Sequence, residues 1–294
     1  MFRGTGTALV TPFKDGAIDY PCWEKLIERQ IEGGVEALIV LGTTGQAATL
    51  SRPERDEAVR FALSRVSGRV PVIIGTGTNC TASTIELSQS ALELGADGIL
   101  VVTPFYNKPT QDGLFEHFAA VARAARGKII LYNVPGRTGC NMSPATVLRL
   151  ATIENIVGVK EASGNQFACD DLIRRLRVVR PDFKVFSGND DQAFHLVCSG
   201  GDGVISVLSN LMPRETSDMI RAALAGRLEE ARDMHLKLLP LMKDLFVESN
   251  PIPVTYTLAR LGLCKNELRL PLVPAAKASE MLLDADLAEQ DLLS

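Results

Sequence analysis

What this chain has little of narrows its chemistry first. It holds three histidines, His117, His195 and His235. Each falls inside a helical pattern with no second ligand nearby in sequence, so a histidine-based metal site is not expected. The six cysteines, Cys22, Cys80, Cys140, Cys169, Cys198 and Cys264, are scattered without a CxxC pair. Disulfide frameworks suit small secreted chains, so free thiols in a reducing cytoplasm are the better reading. No apolar run reaches the ~20 residues that a membrane helix needs. The N-terminal "MFRGTGTALVTPF" lacks the long apolar core of a signal peptide. No basic block stands out and the formal charge is −4, so neither nucleic acid nor an anionic membrane is expected as a main partner.

What is present is length and apolar content. The 294 residues are 46% hydrophobic and 22% charged, enough for a large globular core. Eight short apolar runs recur: "GTALV" (6–10), "EALIVLG" (36–42), "VPVIIG" (70–75), "GILVVT" (98–103), "KIILYN" (128–133), "IVGVK" (156–160), "KVFSG" (184–188) and "GVISV" (203–207). Unbroken rather than alternating apolarity suits parallel strands covered on both faces. Helical patterns lie between them. One opens on Asp19 and ends at Gly33–Gly34. Another opens on Thr81 and ends at Gly95. A third opens on Ser143 with Pro144 at its first position. A degenerate unit also repeats ("EGGVEALIVLG", "ELGADGILVVT", "SGGDGVISVLS"), a helix closed by glycine and followed at once by a strand.

Eight βα units in about 225 residues is the count of a TIM barrel. An open doubly wound sheet is the competitor, but its glycine-rich fingerprint is poorly matched. "GTGTNC" (75–80) carries cysteine at the third glycine position. After residue 225 the strands stop, and three helical patterns follow. The expected architecture is a (β/α)8 TIM barrel over residues 1–225 with a C-terminal helical domain over 226–294.

In such a barrel, chemistry lives at the mouth where the strands end. The segments after the eight runs are rich in glycine, serine, threonine and asparagine, which is also ordinary loop composition. Of the ten lysines, Lys128 and Lys184 begin strands, and only Lys160 ends one at that mouth. Two readings of Lys160 stand on spacing alone. It could snorkel to water at the rim. It could instead be a desolvated amine, partly neutral near pH 7, that forms a Schiff base with a carbonyl substrate. Tyr132 ends the neighbouring strand, where a phenol could carry protons to and from the carbinolamine. Tyr106 ends a strand at the same mouth, and Thr43 lies close by in "GTTG". Glu161 should alternate away from Lys160 and is not counted as catalytic.

"GTTGQAATL", "TPFYNKP", "YNVPGRTG", "GVKEASGN" and "NPIPV" resemble the dihydrodipicolinate synthase family, within the Schiff-base pyruvate lyases. The similarity spans essentially the whole chain. It implies a barrel with a C-terminal helical domain, a homotetramer of tight dimers, and no metal or organic cofactor. It implies that pyruvate condenses with Lys160 and that the resulting enamine attacks L-aspartate 4-semialdehyde. The family's proton relay falls on Tyr132, Thr43 and Tyr106, with Tyr106 reaching in from a neighbouring subunit. Thr44 matches the position that binds the pyruvate carboxylate, and Gly188 and Ile205 match pocket-lining positions. Arg137 matches the residue that holds the carboxylate of the semialdehyde. Guanidinium suits that task because it stays charged and can grip a carboxylate with two parallel hydrogen bonds.

The sequence departs from the family pattern in two places. Gln46 stands where glutamate is more common. Some members bind L-lysine as an inhibitor at the tight-dimer interface, and the matching positions here are Ala48, Arg52, Arg55, Asn79, Ser83 and Phe105. Ala48 and Asn79 are retained. Arg52 and Arg55 replace histidines, Ser83 a glutamate and Phe105 a tyrosine. Losing a carboxylate while gaining cations should disfavour a cationic amino acid, so weak or absent inhibition by L-lysine is expected. Two alternatives to the synthase reading are a lyase of the N-acetylneuraminate or sugar-acid type, which would not need Arg137, and a barrel that binds ligands without catalysis.

Overall fold

Eight parallel strands close into a barrel: β1 (Gly4–Ala8), β2 (Ala37–Val40), β3 (Val72–Gly75), β4 (Gly98–Val102), β5 (Ile129–Asn133), β6 (Ile156–Glu161), β7 (Lys184–Ser187) and β8 (Gly203–Ser206). The computed structural model describes residues 1–293. Each strand pairs with its neighbours in chain order, and β1 pairs with both β2 and β8, which leaves no free edge. Every apolar run anticipated in the sequence contains or overlaps one strand. β1 ends two residues before its run does. The amide of Val10 there donates to the Asn210 side chain at 3.0 Å and so leaves the ladder.

The strands sort their side chains into two apolar layers, as period-2 geometry requires. Ile39, Ile73, Leu100, Ile130, Phe186 and Ile205 fill the barrel interior. Leu38, Val40, Val72, Ile99, Leu131, Val159 and Val185 face outward and pack beneath the helices. Each fully buried aliphatic side chain contributes roughly 1.5–3 kcal/mol relative to exposure, so the outer layer is what binds helices to barrel.

The helices begin where short polar side chains satisfy their first amides. Asp19 accepts from Cys22 N ahead of Tyr20–Glu32, and Ser143 from Thr146 N ahead of Pro144–Leu150. Ser51 and Glu54 form a reciprocal capping box at Arg52–Val66. Thr81–Glu93 takes Cys80 as its cap residue. Helices Gln111–Ala125, Gln166–Val179, Asp190–Cys198 and Pro213–Leu224 complete the ring. Three more follow: Leu228–Asp244, Ile252–Arg260 and Lys277–Glu289. The first packs on 190–198 and 213–224, and its Leu238, Leu241 and Met242 join the same apolar layer as the barrel's outer face. The architecture is a (β/α)8 barrel with a C-terminal helical extension. No helix among the described residues is long and apolar enough to cross a membrane.

A two-stranded hairpin, Phe13–Lys14 with Ala17–Ile18, was not anticipated. Its turn, Asp15–Gly16, has φ of 54° and 79°, the left-handed pair that Asp-Gly adopts readily.

Candidate active site

The site is assembled from strand ends. β5 and β6 pair with Tyr132 opposite Lys160, and Lys160 lies opposite Phe186 of β7. Alternation turns Ile130 and Tyr132 into the barrel with Phe186, and Leu131 and Val159 out of it. Lys160 follows Val159 and so points inward. It is 5% exposed, and its Nζ lies 4.4 Å from the centroid of the Tyr132 ring. It makes no ion pair among the described residues. Glu161, next in sequence, turns away as alternation requires. Its carboxylate accepts from Asn133 Nδ2 at 2.9 Å and from Ser163 N at 2.6 Å, which ties the ends of β5 and β6 together behind the cavity.

Gly188 makes room for the lysine stem. A Cβ there would lie 2.6 Å from Ala162 Cβ and 3.0 Å from Lys160 Cε. The "GTTG" loop reaches over the mouth through an unusual turn. Leu41, buried and γ-branched, has φ of 56° and Gln46 has 51°. A left-handed conformation at a bulky side chain is a strained one that its surroundings must hold. This turn leaves Thr43 exposed and buries Thr44, whose Oγ1 accepts from Asn250 Nδ2 at 2.9 Å. Arg137 sits on the short helix Pro135–Thr138, and its Nη2 donates to the backbone carbonyl of Asn250 at 3.1 Å.

Thr43, Thr44, Tyr132, Arg137, Lys160 and Gly188 line one cavity of about 130 Å³. Ile205 does not line it. It is wholly buried in the interior cluster below. Tyr106 is also absent from the cavity. It is 88% exposed with φ of 74°, on a loop held by Asn107 Nδ2 to the carbonyl of Asn79 at 2.8 Å. The six positions compared with the L-lysine site fall on adjoining segments. Arg55 donates to the carbonyls of Ala47 and Gly75 at 3.0 and 2.7 Å, and burial lowers its pKa to about 10. Arg52 pairs with Asp56 at 3.2 Å. Ala48 is exposed, Asn79 and Ser83 are half-buried, and Phe105 is 39% exposed.

Three features of the site were missed by sequence reasoning. Phe246 and Asn250, from the helical extension, also line the cavity. The motif "NPIPV" marked the second but gave it no role. Asp190, 2% exposed, accepts from the amides of Val207 and Leu208 at 2.9 and 3.0 Å and so fixes the turn after β8. Burial pushes its carboxyl up, opposed by those amides, by Ser206 and by Lys160. Gln46 also gains an account. Its Oε1 accepts from the amide of Arg269 at 3.2 Å, which links the "GTTG" turn to the C-terminal segment.

Cations without acids, a phenol and two threonines around one small cavity form a place for a carboxylated carbonyl compound. The chain is 61% identical over 277 residues to the 4-hydroxy-tetrahydrodipicolinate synthase of Kosmotoga olearia, covering 94% of each chain. It is 52% identical to that of Thermotoga neapolitana over the full length of both. The crystal structure of dihydrodipicolinate synthase from Thermotoga maritima superposes with a TM-score of 0.98 at 50% identity, covering all of both chains. The model of the Dihydrodipicolinate synthetase family matches residues 1–290, and the chain belongs to that family.

Proposed function

We propose that this protein is a lyase that condenses pyruvate with L-aspartate 4-semialdehyde to 4-hydroxy-tetrahydrodipicolinate, on the route to diaminopimelate and lysine. The observation that carries the reading is the convergence of Lys160, Tyr132, Thr43, Thr44 and Arg137 on one cavity. The amine of Lys160 attacks C2 of pyruvate, and the carbinolamine loses water to give an imine. A C3 proton leaves, and the enamine carbon bonds to the aldehyde carbon of the semialdehyde. The amine of the semialdehyde then attacks the imine carbon, closes the ring and releases Lys160.

Each residue has a part that its chemistry supports. Tyr132 carries protons during imine formation, with Thr43 and Tyr106 extending the relay. Thr44 binds the pyruvate carboxylate by hydroxyl and amide, and Gly188 leaves space at the imine, while Ile205 supports the cavity from the interior cluster below it. Arg137 grips the second carboxylate. Arg137→Ala should cut turnover of the semialdehyde by roughly 10²-fold, the loss of a charge-assisted pair, while pyruvate still forms its imine. Unchanged turnover would reject the assignment of the second substrate.

Tyr106 supports an oligomer. A phenol 88% exposed on a left-handed backbone is poorly used in one chain alone. We infer that it enters the site of a second copy within a homotetramer of tight dimers. Mixing inactive Lys160→Ala and Tyr106→Phe proteins should restore part of the turnover, because each mixed dimer holds one intact site, about a quarter of all sites after random exchange at equal amounts. No recovery after subunit exchange would contradict the shared site. The barrel (1–225) and extension (226–294) act as one catalytic unit in this reading. Six cysteines without a disulfide support a reducing compartment, the cytoplasm. L-lysine should inhibit weakly or not at all, since Arg52 and Arg55 add positive charge where an ammonium group would sit. Inhibition at micromolar L-lysine would overturn this.

A further inference from the structure

The helical extension reaches into the cavity through one polar residue. Asn250 lies between helices 228–244 and 252–260 and is 5% exposed. It touches both groups assigned to substrate carboxylates, and it does so with different parts of itself. Its side-chain Nδ2 donates to Thr44 Oγ1 at 2.9 Å. Its backbone carbonyl accepts from Arg137 Nη2 at 3.1 Å. Its Oδ1 is buried with no partner in the protein.

A hydroxyl has one proton and two lone pairs. An amide N–H that occupies a lone pair of Thr44 Oγ1 keeps the hydroxyl proton from pointing at Asn250. Because Thr44 is 2% exposed, that proton needs another acceptor, and the cavity is where one arrives. The amide therefore presets Thr44 as a donor toward the bound acid. The carbonyl acts in parallel on Arg137. It occupies one N–H of the guanidinium fork and leaves the remaining donors for an anion.

We propose that Asn250 is a positioning residue for carboxylate recognition: its side chain sets Thr44 as a donor for the first substrate, and its backbone carbonyl aims Arg137 for the second. The inference rests on the function proposed above. It also gives the extension a direct role in binding, through contacts that span 206 and 113 residues of chain.

The two arms can be separated. Asn250→Asp is close to isosteric but offers Thr44 only acceptors, so the Thr44 proton turns away from the substrate and a negative charge enters the cavity. Asn250→Ala removes the side-chain arm and keeps the backbone carbonyl for Arg137. Both variants should raise the pyruvate concentration for half-maximal imine trapping by borohydride, Asn250→Asp by at least about tenfold and Asn250→Ala by less. KM for the semialdehyde should stay near wild type in Asn250→Ala. In a Thr44→Val background, Asn250→Ala should have little further effect on pyruvate, because the donor it orients is already gone. A general loss of structure would instead add to Thr44→Val and raise both KM values together. Unchanged pyruvate dependence in Asn250→Ala, or full additivity with Thr44→Val, overturns the proposal even if Asn250→Asp does not fold. Absence of a pyruvate adduct in the wild-type protein would instead remove the functional reading beneath it.

Discussion

Two lysines on neighbouring strands show how differently the two mouths of this barrel treat charge. Lys184 opens β7 at one end, and its Nζ pairs with Asp202 Oδ1 at 2.9 Å. Asp202 also accepts the amide of Val185 at 3.0 Å. Nearby, Arg221 reaches Glu36 at 2.6 Å, and Glu36 accepts from Thr5 N. At this end both Lys184 and Arg221 hold an acid in contact. Lys160 closes β6 at the other end, more deeply buried, packed on the face of a phenol and with no carboxylate in ion-pair contact, the buried Asp190 acting on it only from farther off. Arg137, which is exposed, donates to a carbonyl and to no carboxylate among the described residues. A charge held away from water without an opposite charge is costly, and a fold keeps it for use rather than for stability. The difference supports the proposed working mouth without reference to any relative.

The comparison can be broken most directly by exchanging the fates of the two lysines. Lys160→Met should abolish turnover and leave the melting temperature equal to or above that of wild type, since it removes a buried polar group that has no ion-pair partner. Lys184→Met should do the reverse. It leaves Asp202 only the more distant Arg3 and should cost about 1 kcal/mol, an amount reduced by partial exposure of the pair, with turnover unchanged. Thermal melts alongside steady-state kinetics check both, and a Lys184→Met enzyme with impaired kcat would undo the division between the two ends.

Gly188→Ala sharpens the account of the lysine itself. The added methyl meets Ala162 and the Lys160 stem, so the amine must shift. A displacement of this kind should lower kcat roughly 10–100-fold while the fold persists. Wild-type kcat in that variant would show that Lys160 tolerates a freedom we deny it.

The smallest effect concerns like charges. Asp286 and Asp244 are both buried where the last helix meets helix 228–244. Burial, then Asp244 and Glu289, raise the Asp286 pKa from 3.8 to about 6, with Lys243 opposing. A raised folded-state pKa stabilises below the unfolded value, and that contribution is lost as pH rises through about 6. Asp286→Asn should therefore melt higher than wild type well above pH 6, by about 2–4 °C for each kcal/mol relieved, with the gap closing toward pH 4. A gap that does not change with pH would remove the titration from the explanation.

Most of the barrel was readable because period and capping are local. The runs 98–103 and 128–133 hold β4 and β5 almost residue for residue, since strands buried on both faces have few other ways to be written. Asp19 and Ser143 cap their helices as their positions required. The hairpin at Phe13–Ile18 was missed because its strands of two residues carry no periodicity, although Asp15–Gly16 marks its turn. The site divided along the same line. Lys160 and Tyr132 could be placed because each ends a strand, and adjacent strands in a barrel set them side by side. Asn250 could not be assigned a role from the sequence. Its partners are Thr44 and Arg137, and only the folded path of the extension brings them together. Gln46 was opaque for the same reason, its partner being Arg269.

The central claim is that Lys160 is unpaired because it is a nucleophile. The measurement that tests it most directly is borohydride reduction in the presence of pyruvate, followed by peptide mapping by mass spectrometry. The account predicts one reduced pyruvate adduct per chain, on Lys160, and none on Lys184 or Lys128. An unmodified Lys160, or an adduct spread over surface lysines, would contradict it.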